Sequence, residues 1–224
     1  MLEVRDWGRR EYGASLDAMR ALVRERRAGR IDDLLILVEH PPIVTVGVQG
    51  DDGGAAASGL PVVAVERGGH ATYHGPGQLV GYPIVDLDPR GRDVRRFVQE
   101  IEEALIASLA HWGIGASHVS GQRGVWVDGA RKIASVGIAV EHWVTFHGFA
   151  LNVDLDLEPF SRFQPCGMSG SRMTSIAREI GRPVPLESAK APVIDAWRAR
   201  FTTASVGEGT RSPGSSAPGV ESSA

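Results

Sequence analysis

The stretch GVWVDGARKIASVGIAVEHWVTFHGFALNV, residues 124–153, decides the fold. Its apolar and β-branched residues form strand-length runs, and two turn signals interrupt them. Asp128-Gly129 is a good hairpin signal, and Glu141-His142 is a weaker one. We therefore predict a strand meander joined by hairpins. Regular βαβ winding would instead need long crossovers between parallel strands.

Helical patterns lie on both sides of this meander. Before it, apolar residues recur at helical spacing from Asp93 to Trp112, where Asp93 can cap the start and Gly113 can end the helix. We predict further helices at 15–28, near 171–180 and at 187–201. Ser15 is the expected N-cap of the first, and Pro192 leaves the start of the last open.

The remaining apolar runs have the length of strands. They are predicted at 33–40, 43–48, 62–66 and 79–87, and the small-residue stretch 49–59 is predicted to be a loop. Helices at both ends, with one between groups of hairpin-connected strands, indicate an α/β (α+β) fold. We expect a mixed, largely antiparallel sheet with flanking helices.

Length and composition indicate one domain with a tail. At about 100–200 residues per domain, the 224 residues favour a single domain at 1–201. Residues 202–224 are rich in Ser, Gly, Pro and Ala without periodicity, so we predict that this tail is disordered. The formal net charge of −3 provides no strong positive field, and we expect no binding to nucleic acid or membranes.

Cysteine usage and hydropathy bear on the compartment. The chain has one cysteine, Cys166, which cannot form an intramolecular disulfide. The N-terminal residues contain no apolar signal core, and no run approaches the roughly 18–20 apolar residues of a membrane span. We therefore expect a cytoplasmic protein in a reducing compartment.

Four short blocks carry residues suited to chemistry. In RGGHATYHGPGQ, 67–78, glycines alternate with polar side chains, as in a site where the backbone approaches a ligand closely. RKIASVG, 131–137, places Lys132 at the start of a strand. HGFALN, 147–152, begins with a histidine, and PCG, 165–167, holds Cys166. Singly, each block also fits a structural role: a turn, a hydrated lysine, a core histidine, a small buried thiol.

Together the blocks resemble the lipoyl(octanoyl) transferase family, whose members move an octanoyl group from acyl carrier protein to lipoyl domains. The pattern occurs in order as HPPIVTVG (40–47), RGGHATYHGPGQ (67–78), RKIASVG (131–137), HGFALNV (147–153), PCG (165–167) and MTSI (173–176). The resemblance covers roughly residues 2–200. It implies a fold similar to that of biotin and lipoate protein ligases, and it implies neither a metal nor a cofactor.

The resemblance also implies roles for individual residues. Cys166 matches the nucleophile that holds the acyl chain as a thioester, and Lys132 matches the lysine that lowers the pKa of that thiol and takes part in proton transfer. The implied acyl-substrate contacts are Arg67, Gly68, Gly69, His70, Ala71, Thr72, Tyr73, His74, Ser135, Val136, Gly137, Gly148, Phe149 and Ala150.

The implied partners are two kinds of acyl-carrying protein. Octanoyl-acyl carrier protein is the donor, and the acceptors are lipoyl domains of 2-oxoacid dehydrogenase complexes and the glycine cleavage H protein. Such proteins are usually acidic, so arginine-rich helix faces are a hypothetical docking surface. The arginines concerned are Arg9, Arg10, Arg24, Arg26, Arg27, Arg30, Arg92, Arg95 and Arg96.

The implied chemistry is physically reasonable. A free thiol with a pKa near 8.5 is only a few per cent ionised at pH 7, and a nearby ammonium favours the thiolate. After acylation the ammonium loses that anionic partner, so we hypothesise that Lys132 then accepts a proton from the incoming amine. Oxyanion donors are expected among the amides of 67–75 or near Gly137. Candidates to line an acyl groove are Leu79, Val136, Phe149 and Met168.

Three other interpretations also fit the sequence. The first is an ATP-dependent lipoate or biotin-type protein ligase on the same fold, which needs no cysteine. The second is a cysteine-dependent thioesterase that pairs Cys166 with His74 or His147. The third is a binding module without catalytic activity.

Overall fold

The structure is a computed structural model, and it describes residues 3–51, 54–162 and 172–201. Within these ranges the strands are β1 (Glu3–Arg9), β2 (Leu34–Glu39), β3 (Ile43–Val46), β4 (Val62–Ala64), β5 (Ala71–His74), β6 (Gln78–Ile84), β7 (Ala116–Val119), β8 (Gln122–Val127), β9 (Arg131–Glu141) and β10 (Val144–Asn152). The α-helices are α1 (Tyr12–Arg27), α2 (Val94–Leu109), α3 (Ile176–Ile180) and α4 (Glu187–Phe201). The predicted disordered tail lies outside the described residues, and the division at residue 201 stays a prediction.

A seven-stranded sheet forms the centre of the molecule, in the order β1-β2-β6-β10-β9-β8-β7. The outer pair β1 and β2 is parallel, and the other pairs are antiparallel. The predicted α/β fold with a mixed, largely antiparallel sheet is therefore confirmed. A smaller sheet, β4-β3-β5, lies apart from it and pairs β3 in parallel with β4 and antiparallel with β5.

Two tight turns fold the meander β8-β9-β10. Asp128 and Gly129 both have positive φ, 50° and 64°, as a two-residue type I′ turn requires. In the second turn the positive-φ residues are His142 and Trp143, at 51° and 66°. The second turn, predicted at Glu141-His142, therefore lies one residue later in the chain, because Glu141 still belongs to β9.

The helices agree with the sequence pattern in part. The Asp93 side chain accepts a hydrogen bond from the backbone N–H of Arg96 and caps α2, and α4 spans the predicted residues. The predicted cap Ser15 is wrong: α1 begins three residues earlier, and the Ser15 side chain is buried inside the helix. The predicted helix near 171–180 is shorter, because Ser175 caps α3 and Met173 bridges to β9.

The two faces of the main sheet bury separate cores. Along β10 and directly after it, Phe149, Leu151 and Val153 pack on the side that α2 and α4 cover. Phe146 and Ala150 face the side covered by α1. Strand alternation explains this division, since successive side chains point to opposite faces. No helix in the described ranges has both the length and the apolarity needed to span a bilayer.

Candidate active site

A cavity of about 760 Å³ lies where the loop 67–70 crosses β9 and β10. Its lining includes Lys132 and most of the implied acyl contacts, namely Arg67, Gly68, Gly69, His70, Thr72, His74, Ser135, Val136, Gly137, Gly148, Phe149 and Ala150. The implied contacts Ala71 and Tyr73 point to the other face of β5, where both belong to the apolar cluster that contains Phe160. Of the groove candidates, Val136 and Phe149 line the cavity, whereas Leu79 packs in the core.

The two remaining residues of interest, Cys166 and Met168, lie outside the described residues. The chain on their C-terminal side is well defined. Met173 forms a parallel bridge with Lys132, and the backbone N–H of Thr174 donates to the Lys132 carbonyl at 2.9 Å. The described chain therefore resumes at Arg172, six residues after Cys166, and reaches Lys132 at the next residue.

Glycines allow the loop 67–70 to pack directly on β9. The backbone N–H of Gly68 donates to the Ile138 carbonyl at 2.9 Å. A Cβ on Gly137 would lie 2.8 Å from the Gly68 oxygen, and a Cβ on Gly47 would lie 2.3 Å from the Gly69 oxygen. Neither contact is sterically possible, so this part of the cavity wall requires glycine on both sides of the loop.

Arg67 fixes the loop from within. Its buried guanidinium donates to the carbonyls of Gly68, His70 and Thr45 at 3.1, 2.9 and 2.7 Å. It also donates to the Thr45 hydroxyl at 2.9 Å. The planar fork of arginine suits several acceptors in one plane. Although Arg67 lies in the cavity wall, these bonds commit much of its donor capacity to the loop and to β3.

Lys132 is buried, with 3% of its surface exposed, opposite Trp126 on β8. A shift in the β8–β9 register, between Val125 and Trp126, leaves one extra residue on β9 at this point. The ammonium lies 5.4 Å from the centre of the Trp126 ring, and the Arg172 guanidinium lies 4.8 Å from the same ring. The Trp126 indole thus contacts two cations at the cavity wall.

Three buried aromatic side chains form a neutral polar network: His74 and Tyr82 line the cavity, and His40 packs against both. Nδ1 of His40 donates to the Arg10 carbonyl at 2.7 Å, so Nε2 must accept from the Tyr82 hydroxyl, also at 2.7 Å. His74 donates from Nδ1 to Gln78 at 2.7 Å. Burial lowers the pKa of His40 to about 4 and that of His74 to about 3. Both rings are neutral at pH 7.

His147 extends this network to the loop that precedes Gly68. Nδ1 lies 3.3 Å from the Tyr12 hydroxyl, and Nε2 lies 3.5 Å from a carboxylate oxygen of Glu66. Burial lowers the pKa of His147 to about 4. Burial alone would raise the pKa of Glu66, but hydrogen bonds and the charge of Arg20 together outweigh burial, so the pKa is lowered. His147 also has a φ of 55°, an uncommon conformation for a residue other than glycine.

Sequence reasoning missed Tyr12, His40 and Tyr82 as parts of this network. The block HPPIVTVG contains His40, but nothing in it predicts contact with residues of α1 and β6.

Within 3–51, 54–162 and 172–201, no group of three or more His, Cys, Asp or Glu side chains could hold a metal ion.

Comparison with known proteins places the chain among enzymes of protein lipoylation. The profile of the family described as Lipoyl protein ligase A/B catalytic domain matches residues 11–198. An octanoyltransferase of Geobacter sulfurreducens is 44% identical over 192 residues, which cover 86% of this chain and 81% of that protein. An octanoyltransferase of Thiobacillus denitrificans is 44% identical over 196 residues, covering 87% and 88%.

Solved structures show the same fold at low sequence identity. A bi-partite lipoate protein ligase from Thermoplasma acidophilum superimposes with a TM-score of 0.70 at 17% identity, covering 90% of this chain and 85% of that one. At this level of identity, the likeness concerns the fold, and it confirms the predicted similarity to lipoate protein ligases.

Proposed function

The chain belongs to the lipoyl protein ligase A/B catalytic domain family, and on this premise we propose that it is an octanoyltransferase of protein lipoylation. Relatives of that name at 44% identity support an acyltransferase. In the proposed reaction, octanoyl-acyl carrier protein is the donor and Cys166 holds the acyl group as a thioester. The acceptor is a lysine amine of a lipoyl domain, either in a 2-oxoacid dehydrogenase complex or in the glycine cleavage H protein.

The position of Lys132 is the observation that most strongly supports the proposed mechanism. Lys132 is a buried cation in the wall of the cavity, and the chain that follows Cys166 reaches it at Met173. An ammonium in water-poor surroundings stabilises a nearby thiolate far more than one in bulk water does. We propose that the two groups form an ion pair in the resting enzyme.

The first half-reaction exchanges one thioester for another. The Cys166 thiolate attacks the acyl carbonyl, the bond to the donor sulfur breaks, and the departing thiolate takes a proton from Lys132. The tetrahedral oxyanion needs N–H donors that are preorganised. The Gly68 amide already donates to Ile138, so a donor from this loop has to be a different amide.

The second half-reaction forms the amide. The lysine amine of the acceptor attacks the thioester on Cys166, and the sulfur leaves as thiolate. The proton lost by the attacking nitrogen goes to Lys132, which is neutral after the first step. The ammonium–thiolate pair is thereby restored, and protons balance over the cycle without an outside acid or base.

Pairing of Cys166 with a histidine is less well supported. One ring nitrogen of His74 donates to Gln78, and the other lies 3.3 Å from the Thr45 hydroxyl. His147 lies between Tyr12 and Glu66. With pKa values of about 3 and 4, both are weak bases because charging them would bury an imidazolium. A thioesterase would release free octanoate instead of forming an amide.

An ATP-dependent ligase remains the main competing function, since lipoate protein ligases share the fold. The block PCG and the octanoyltransferase relatives favour transfer without ATP. Octanoyl transfer to a lipoyl domain should therefore proceed with ATP and magnesium omitted. A strict requirement for ATP would contradict the proposal.

Intact-mass measurement after mixing with octanoyl-acyl carrier protein tests the mechanism directly. We expect one octanoyl adduct that hydroxylamine removes and that peptide mapping locates on Cys166. Cys166→Ala should form no adduct, and Lys132→Ala should slow its formation about 100-fold near neutral pH, with partial recovery at higher pH where the thiol ionises unaided. An adduct on another residue, or full activity without Cys166, would refute this proposal.

A further inference from the structure

The side chain of Lys132 runs directly over the backbone of Gly124 on β8. A Cβ on Gly124 would lie 2.6 Å from Cε of Lys132 and 2.3 Å from the Ala134 oxygen. Gly124 also has a φ of 106°, a conformation that other residues rarely adopt. The position of the ammonium therefore depends on how the Gly124 backbone is held.

A buried carboxylate holds that backbone. Oε1 of Glu102, on α2, accepts the N–H of Gly124 at 2.7 Å. Oε2 of the same carboxylate lies 3.1 Å from Nδ1 of His118 on β7. Glu102 is 5% exposed, so this is a charge-assisted hydrogen bond in water-poor surroundings. The reaction proposed above gives Glu102 no role.

We propose that Glu102 is a positioning residue, which acts on acyl transfer through Gly124 and keeps Lys132 at the distance needed for its ion pair with the cysteine. The inference rests on the proposed function, because it assigns Lys132 a role there. The glutamate touches neither substrate nor the reacting atoms. Its effect follows from geometry: the carboxylate fixes Gly124, and Gly124 forms the surface along which the lysine stem lies.

Loss of this carboxylate should slow the acylation of Cys166 by more than a loss of folding stability alone would. In Glu102→Ala the Gly124 N–H has no acceptor, the bulge relaxes, and the lysine shifts. We expect the rate of Cys166 acylation at pH 7 to fall by between about 10-fold and 100-fold, as is typical for a displacement of about 1 Å. The deficit should shrink at higher pH, because the thiol then ionises without the ammonium.

Two variants separate positioning from folding. Glu102→Gln keeps an oxygen for the Gly124 N–H and should restore most of the acylation rate. Asp33→Ala is the matched control, since the Asp33 carboxylate accepts the Asp86 N–H at 2.9 Å and pairs with Arg26 at 2.7 Å, away from the cavity. It should lose stability in a similar way while its acylation rate and pH profile stay unchanged.

The pH profile must be interpreted against the other charged groups near Lys132. Arg123 and Arg172 lie in the cavity wall, and the Arg131–Glu179 pair lies at the start of β9. None of these is changed in the three variants. His118→Gln tests whether the imidazole contributes: if Glu102 acts through Gly124 alone, this variant should keep the wild-type profile.

The outcomes distinguish this inference from the proposed function. If wild-type protein forms no adduct that depends on Lys132, the proposed function fails. If it does, but Glu102→Ala matches Asp33→Ala in acylation rate and pH profile, the positioning role alone is refuted. Should Glu102→Ala not fold, Glu102→Asp decides the matter, because the shorter carboxylate withdraws from Gly124. A wild-type rate and profile in that variant would equally refute the inference.

Discussion

Arg67 shows how a single buried cation can organise a loop in the cavity wall. Its guanidinium reaches three backbone carbonyls and one hydroxyl, and these acceptors belong to two separate parts of the chain. The resemblance to a known family implies that Arg67 contacts the acyl substrate. The geometry adds a second task, which is to hold the loop 67–70 in the shape that forms the cavity wall.

Replacing Arg67 by lysine should therefore not be conservative. An ammonium cannot reach all four acceptors, so at least one buried acceptor is left unpaired, at a cost of about 1–3 kcal/mol in the free energy of unfolding. Chemical denaturation measures this loss, and the KM for the acyl donor should rise as well. Arg20→Lys is the control, since Arg20 is a partly exposed residue that pairs with Glu66. Equal stability of the two variants would contradict the assigned role of Arg67.

Among the individual residues, the sequence indicated Lys132 as a site candidate but not Glu102. Lys132 stands in a short block with glycine and small residues, and that block carries a family pattern. Glu102 belongs to a helix with many charged residues, but it stands four residues after Val98 and three before Leu105, on the buried face of that helix. That spacing indicates burial, but only the packing of α2 against the sheet brings its carboxylate to Gly124 on β8. The partner of Glu102 therefore depends on tertiary structure and cannot be predicted from the helix alone.

At the scale of elements, the packing of the loop 67–70 on β9 is the contact that shapes the cavity. Gly137→Ala would place a methyl group 2.8 Å from the Gly68 oxygen and push the loop away from the strand. We expect acyl transfer to fall by at least about tenfold, because the wall on one side of the substrate moves. A continuous octanoyl-transfer assay measures this effect.

The matched control for this prediction is Gly13→Ala. Gly13 lies in α1, and a Cβ there would meet no atom within 4 Å. Alanine in a helix is favoured over glycine by up to about 1 kcal/mol, so this variant should be at least as stable as wild type and fully active. If Gly137→Ala also kept full activity, the loop would not need its close approach to β9.

The elements with a long apolar period were the clearest to predict, and the shorter strands β2, β3, β4 and β6 were also predicted near their observed positions. The helix α2 and the meander β8-β9-β10 were predictable because each presents many apolar residues at one spacing. The strands β1, β5 and β7 were missed. β5 has only four residues inside a glycine-rich block, and β1 and β7 are edge strands with polar residues on their exposed side. Their pairing is set by neighbours distant in the chain.

At the scale of the whole molecule, three buried histidines link stability to pH. Burial lowers the pKa of His40, His74 and His147 to about 4, 3 and 4. In the unfolded chain each would titrate near 6.5. Between these values the unfolded state binds more protons than the folded one, so stability falls as pH falls from about 6.5 toward 4. Each histidine contributes a slope of up to about 1.4 kcal/mol per pH unit.

Thermal unfolding between pH 7 and 4.5 tests this dependence. We expect His40→Gln to flatten the slope, because one proton fewer is taken up on unfolding, even though the variant itself loses some stability. His111 is exposed and serves as the control, so His111→Gln should keep the wild-type slope. A wild-type melting temperature that did not change over this range would show that the histidines are not held neutral.

The ion pairs separate the arginines of the hypothetical docking surface into two groups. Arg26, Arg30, Arg92 and Arg96 pair with carboxylates of this chain, which offsets their charge. Arg9, Arg24, Arg27 and Arg95 form no such pair within the described part of the chain. Among these four, Arg95 directly follows a residue of the cavity lining, Val94, in the chain, and the exposed Arg123 lies in the cavity wall itself.

An acidic donor should therefore dock on the side of Arg95 and Arg123, because its acyl chain has to enter the cavity. Replacing both by serine should raise the KM for octanoyl-acyl carrier protein roughly fivefold at low salt, from about 0.5 kcal/mol for each exposed charge pair. The difference from wild type should vanish near 1 M salt, where screening acts within about 3 Å. The control pair Arg24→Ser and Arg27→Ser removes the same charge from α1. If it raised the KM equally, net charge would guide the donor rather than the rim of the cavity.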